Sequence, residues 1–463
     1  MTALFWWCRH GSLLLSRLDY TSETSYLVHK RARRPSGRRG RRASISGPAG
    51  WPRALADDAA GEEQQRSATL VKAVRRHAKV EEIVINSIQT SFVSERMIEA
   101  GALSIRGAGA NWPRRQSVEE EENPISSPAV PNAGELTRAL LRYRPPNLGR
   151  SIAELAITAG PLVLLWALMW ITLDIGYWLC LLLALPAAGF LVRLFMIQHD
   201  CGHGAFFLRR GTNDWVGRVL GVLTFTPYDF WRRTHAVHHS TSGNLDRRGM
   251  GDIDTLTVRE YRARSRWGRL RYRIYRHPFV MFGVGPAYLF FVQHRLPVGL
   301  MRSGWQPWLS TMATNAAIAA LVATMIWLVG IAPFLLVHLP IMLLAASIGV
   351  WLFYVQHQFE HTVWAGDEAW NLQEAALYGS SYYALPGPLR WFTANIGIHH
   401  IHHLCSRIPY YRLPLVLRDH PDLAGIGRLT LLESFACVRL VLWDEDRRRL
   451  VSFREARRHY ASI

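Results

Sequence analysis

The chain has 463 residues, 49% of them hydrophobic, and carries 54 Lys and Arg against 35 Asp and Glu, a formal net charge of +19. So basic a balance suits nucleic acid or a membrane surface, but the arginines stand beside long apolar runs, where cationic loops hold a membrane protein's orientation; no nucleic-acid partner is expected. The five cysteines, Cys8, Cys180, Cys201, Cys405 and Cys437, form no CxxC pair, which argues against an oxidised, secreted scaffold and for a reducing site that faces the cytoplasm.

Residues 1–130 combine an Arg-rich stretch at 31–42, Gly/Ser/Pro-rich pieces and the acidic run 119–122. Such a composition buries too little apolar surface to offset the entropy of ordering, so a disordered, Arg-rich N-terminal extension is expected. Apolar periodicity over 68–100 is compatible with a local helix, whereas 3–15 is apolar but lacks a signal-peptide cleavage site. A single catalytic domain is expected over 131–430, followed by a basic cytoplasmic tail over 431–463.

Two apolar stretches, 152–173 and 177–197, contain 22 and 21 residues, and a bilayer core about 30 Å thick needs roughly 20 residues of helix. Two more, 308–329 and 333–355, repeat the arrangement, again with a short uncharged turn between them. Arg209, Arg210, Arg232, Arg233, Arg247, Arg248 and a dense set over 259–276 place the connection between the pairs in the cytoplasm, as Arg447, Arg448 and Arg449 do for the C-terminal region. The stretch 279–292 is apolar but short and reads as interfacial or re-entrant. The expected fold is therefore all-α and membrane-integral: four transmembrane helices in two hairpins, both termini inside, under a cytoplasmic helical cap.

Of the 19 histidines, 11 fall in four short clusters, each at or beyond the inner end of a predicted span. The first is His199-Asp-Cys-Gly-His203, whose members share one face of a continuing helix; the second is His235-Ala-Val-His238-His239, which brings three nitrogens together at i, i+3 and i+4. The third is His357-Gln-Phe-Glu-His361, and the fourth, His399-His400-Ile-His402-His403, contains the HxxHH spacing at His399, His402 and His403. A lone HxxxH pair is usually structural, but four clusters facing one compartment imply a shared metal site. Eight or nine neutral imidazoles are too many for one tetrahedral zinc and suit two iron ions. Such a centre can use dioxygen to take hydrogen from an unactivated methylene, which no side-chain base can do, because a general base works on protons with a pKa near ambient pH. A lipid acyl chain could reach it from the bilayer. The spans themselves carry almost no ionisable group, with Asp174 in a turn, Arg193 near an end and His338 interior, which makes a poor conduit for a metal transporter.

With these motifs in view the chain resembles the membrane fatty acid desaturase family, and closely its bacterial acyl-lipid branch. The resemblance runs from His199-Asp-Cys-Gly-His203-Gly-Ala-Phe-Phe through His235-Ala-Val-His238-His239-Ser-Thr-Ser-Gly-Asn-Leu-Asp and Val355-Gln-His357-Gln-Phe-Glu-His361 to Asn395-Ile-Gly-Ile-His399-His400-Ile-His402-His403-Leu404. It covers about residues 140–420 and implies iron ligation by His199, His203, His235, His238, His239, His399, His402 and His403, with no catalytic side chain beyond the metal ligands. A ninth ligand is expected after the last span, with His357 preferred to His361. Asp200, Asp252, Asp254, Glu360 and Asn395 are candidates to orient the imidazoles, and Cys201 and Cys405 read as packing. Trp231, Trp364, Trp391, Tyr382 and Tyr383 are expected at headgroup level or along an acyl groove. The resemblance further implies two Fe ions, O2 as co-substrate, and electrons from a separate ferredoxin or similar small redox protein, since no haem-binding module is fused. The expected setting is a bacterial inner membrane, with the active site cytoplasmic.

Overall fold

The computed structural model describes residues 133–459, so the expected disorder of 1–130 and the local helix over 68–100 lie outside the described residues. Helix α1 (Leu148–Leu173) begins where the Asn147 side chain accepts the Arg150 N–H at 2.9 Å, a standard N-cap. Three residues separate it from α2 (Tyr177–His203), which packs along it. The helix stops at Gly204, whose φ of 68° suits a residue without Cβ and whose N–H returns to the carbonyls of Asp200 and Cys201. That stop makes His203 the last residue of the helix. Pro161 and Pro186 lie inside α1 and α2, as membrane helices tolerate.

Helices α3 (Arg210–Leu223) and α4 (Tyr228–Thr241) follow and pack against α2. The chain then forms β1 (Leu256–Thr257) and the arginine-rich α5 (Arg266–Tyr275). The stretch 279–292 is a π-helical turn, Val280–Val284, continued by the short helix Gly285–Phe291; Phe282 packs on Trp351 and Tyr354 at 5.0 and 5.1 Å. Helices α6 (Trp305–Val329) and α7 (Ile331–His357) meet at Gly330. Among the described residues, α1, α2, α6 and α7 are the four helices long and apolar enough to cross a membrane. At about 1.5 Å per residue, their 25 to 27 residues exceed the hydrocarbon thickness, and the excess carries α2 and α7 out to their terminal histidines.

The expected all-α class is a mostly helical one, because two small sheets are present among the described residues. The segment after α7 supplies β2 (Tyr382–Ala384), the short helix α8 (His399–Leu404) and β3 (Arg428–Thr430); β2 and β3 pair in parallel. The described part of the stretch expected as a tail, up to residue 459, is folded into the same unit as the helices. Its β4 (Leu442–Asp444) runs parallel to β1 and pairs antiparallel with β5 (Arg449–Val451). Strands of two or three residues are too short to leave an alternating pattern in the sequence. The core runs from the α1–α2–α7 contact to α8 and the β2–β3 pair.

Candidate metal centre

Among the described residues, nine histidines converge in two groups. His199, His203, His235, His239 and His402 form one; His238, His357, His399 and His403 form the other, and within each group the candidate ligand nitrogens all lie within 4.8 Å of one another. The division follows from helix geometry. In α4 the i, i+4 pair His235 and His239 shares a face and joins the first group, while His238 at i+3 turns to the second. Helix α8 does the reverse, giving His399 and His403 to the second group and His402 to the first. Each HxxHH element therefore serves both groups, which makes them two halves of one centre.

The nitrogens suit metal ions better than one another. His238 and His357, His357 and His399, and His399 and His403 face each other through Nε2 atoms 3.1 Å apart. His239 faces His235 and His402 in the same way at 3.1 Å. Two imidazole nitrogens bound cis to one ion at about 2.1 Å would be separated by about 3.0 Å, close to the spacing found. Nε2 of His199 and of His203 is buried with no hydrogen-bond partner, an arrangement costing about 1–3 kcal/mol per group unless something fills it. Burial, and then the neighbouring imidazoles, hold His235, His239, His399, His402 and His403 well below the usual histidine range. They are neutral at pH 7, as ligands must be. Each group can hold one ion.

The outward nitrogens fix the tautomers. His238 Nδ1 donates to Asp252 Oδ1 at 2.6 Å and His199 Nδ1 to Asp200 Oδ1 at 3.2 Å, while the other Asp200 oxygen accepts the Tyr410 N–H at 2.7 Å. His357 Nδ1 points at the Gly379 carbonyl at 3.4 Å. With the proton on Nδ1, Nε2 is bare toward the centre. Partners of this kind are worth about 10- to 100-fold in metal affinity, so Asp252→Asn is expected to weaken metal retention by that factor. Metal titration of the stripped protein checks it, and unchanged retention would remove Asp252 from the account. The ring of Trp231 stacks on His235 at 4.6 Å and 17°. A Cβ at Gly202 would come within 2.9 Å of that ring, so the glycine of the first cluster leaves room for the stack.

Not every expected residue arrives. Helix α7 ends at His357, and Gln358 turns the chain away with ψ of 72°; His361 is exposed and belongs to neither group, whereas His357 is central to the second. His400 is buried but points outward, its Nε2 donating to the Leu423 carbonyl at 3.0 Å. Asp254 presents its backbone N–H to Tyr275, Asn395 reaches the Tyr410 carbonyl and Glu360 is exposed. His277, His294, His338, Cys201 and Cys405 lie outside both groups. Trp364 stacks on Trp443 at 6.0 Å, and Tyr383 bonds Ser434 at 3.0 Å.

One network was not anticipated. Glu154, inside α1 and 1% exposed, takes Arg193 of α2, Arg150 at 2.6 Å and the Tyr410 hydroxyl at 3.1 Å. Arg193 is equally buried; it also donates to Thr158 and to the Trp391 carbonyl, and lies 4.1 Å from the Trp391 ring centroid. Trp391 precedes α8 and Tyr410 follows it, so this pair grips both flanks of the last histidine cluster. The spacing of Arg150 and Glu154, i and i+4, was the available signal.

The fatty acid desaturase family model matches residues 175–432, a range containing all nine converging histidines. A fatty acid desaturase of Bacillus subtilis is 45% identical over 320 residues, covering 69% of this chain and 90% of that protein. Two proteins of Synechocystis sp. are each 27% identical. One, an sn-1 oleoyl-lipid 12-desaturase, matches over 54% of this chain and 74% of its own length; the other, an sn-1 acyl-lipid omega-3 desaturase (ferredoxin), over 48% and 61%. The family match, together with the extent of the Bacillus relative that is covered, settles the assignment: the chain belongs to the fatty acid desaturase family and is an enzyme of that family.

Proposed function

We propose that the chain is an oxygen-dependent acyl-lipid desaturase whose nine converging histidines hold two iron ions. The observation that carries this reading is the five-and-four grouping of imidazoles at the ends of α2 and α7. Imidazole suits iron, and nine donors suit two ions of five or six coordination better than tetrahedral zinc. Iron held there would supply an oxidant able to act on an unactivated methylene. The acyl chain gives up two hydrogens and gains a double bond; those two hydrogens, together with dioxygen, two electrons and two protons, leave as two waters.

The chain's own residues contribute placement and exclusion. His199, His238, His399 and His402 are nearly inaccessible, so bulk water is kept from much of the centre. Asp252 and Asp200 hold imidazole orientation, and Trp231 backs His235. The electron donor is proposed as a separate ferredoxin-like protein, supported by the ferredoxin named for one relative. The substrate is proposed as an acyl chain esterified in a membrane lipid, supported by the acyl-lipid and oleoyl-lipid names of two relatives. The arginine distribution supports an inner-membrane setting with the histidines in the cytoplasm. The rival reading is a hydroxylase or ketolase, which shares the removal of one hydrogen and differs in the fate of the carbon.

The test is product analysis in a host expressing the full chain with a ferredoxin-type donor. Mass spectrometry of total lipids is expected to show a new double bond at one carbon for the wild type. His238→Ala should show none while remaining in the membrane. A hydroxylated product would replace this reading with the rival, and wild-type product from His238→Ala would remove the second cluster from the site.

A further inference from the structure

Between Tyr261 and Val280 the chain has seven arginines and no acidic residue. Helix α5 lies in this stretch, and only Tyr272 among its residues is buried. At about 100° per residue, Trp267, Leu270 and Ile274 fall within about 60° of one another, on the side opposite Tyr272. They are 73%, 45% and 39% exposed, and Phe279 just beyond is 70% exposed. Arg266 and Arg271, both exposed, flank the stripe on either side.

The anchoring of α5 sets its level relative to the spans. The Tyr272 hydroxyl donates to the Val441 carbonyl at 2.6 Å, fixing the inward face to the β4 side. Arg276, which caps the helix, donates to the Tyr354 hydroxyl at 3.0 Å and to Gln358 at 3.1 Å. Tyr354 is in the last turn of α7, so α5 lies where that span leaves the apolar layer. An apolar stripe bordered by arginines, held at that level and facing away from the protein, has the character of a helix lying in a membrane surface.

We propose that α5 lies in the plane of the bilayer with Trp267, Leu270 and Ile274 inserted below the headgroups, and that its arginines bind anionic phospholipid headgroups. An acidic electron-donor protein would be drawn by the same charge, but it would leave the Trp267–Leu270–Ile274 stripe without an apolar counterpart. The proposal rests on the four spans being embedded. Each arginine near an anionic surface contributes about 1 kcal/mol, or about fivefold in an equilibrium.

The test is hydrogen exchange by mass spectrometry on the full chain in lipid nanodiscs, either pure phosphatidylcholine or phosphatidylcholine with phosphatidylglycerol. Amides over 266–275 are expected to exchange at least about fivefold more slowly in the acidic discs. Arg266→Gln combined with Arg271→Gln should shrink that difference while leaving exchange in α7 unchanged. Equal exchange in both discs would overturn the proposal, as would slowing that appears only when an acidic ferredoxin is added. A chain that does not enter the discs at all would overturn the four-span reading along with it.

Discussion

Changing His357 to alanine is expected to abolish double-bond formation, and changing His361 to alanine to leave it intact. The two histidines are i and i+4 in sequence and would share a face if α7 continued, but the helix stops at His357. His357 Nε2 then stands 3.1 Å from the Nε2 atoms of both His238 and His399, so its removal opens the middle of the four-member group. His361 is exposed, and a surface substitution away from such features changes stability by no more than about 0.5 kcal/mol. The comparison is read in product per chain and iron per chain. Loss of both with His361→Ala and retention with His357→Ala would reverse the ligand assignment.

The second large effect is expected from Glu154→Ala. It would leave Arg193 buried within a span and stripped of its carboxylate, and breaking a buried pair by removing one member costs about 3–5 kcal/mol. The Tyr410 hydroxyl loses its partner at the same time, so the flank of α8 loosens together with α1 and α2. Thermal unfolding in detergent should therefore fall sharply for Glu154→Ala. The double variant Glu154→Leu, Arg193→Met should recover much of the loss, since an apolar replacement of a buried pair is often neutral. A wild-type melting temperature for Glu154→Ala would show that the pair is not a structural clamp.

The spans were legible because each is a long apolar run with at most one charged residue, and only their ends moved. Asn147 capping carried α1 four residues earlier than the apolar run, and α2 and α7 continued through His203 and His357. The histidine clusters were legible for the same local reason, since HxxxH and HxxHH spacings state which side chains share a helical face. Their division into two groups was not, because it depends on how α4 and α8 approach each other in space. The end of α7 at His357 was also invisible, as nothing in Gln358-Phe359-Glu360-His361 forbids another helical turn. Glu154 was hidden by its surroundings: one acidic residue in a long apolar run does not disturb the run, and its partners Arg193 and Tyr410 are distant in sequence. The pairing of Leu256–Thr257 with Leu442 and Trp443 is likewise long-range, so 431–463 read as a tail although its described part is two strands of a three-stranded sheet and two short helices.

The proposed chemistry needs two metal ions held by two groups of imidazoles. The most direct measurement is therefore the iron content per chain of the purified full-length protein, taken on material that forms product. Two irons per chain are expected, falling below two in His238→Ala, which removes a donor from the second group. Full activity with one iron or none, or with stoichiometric zinc in its place, would contradict it.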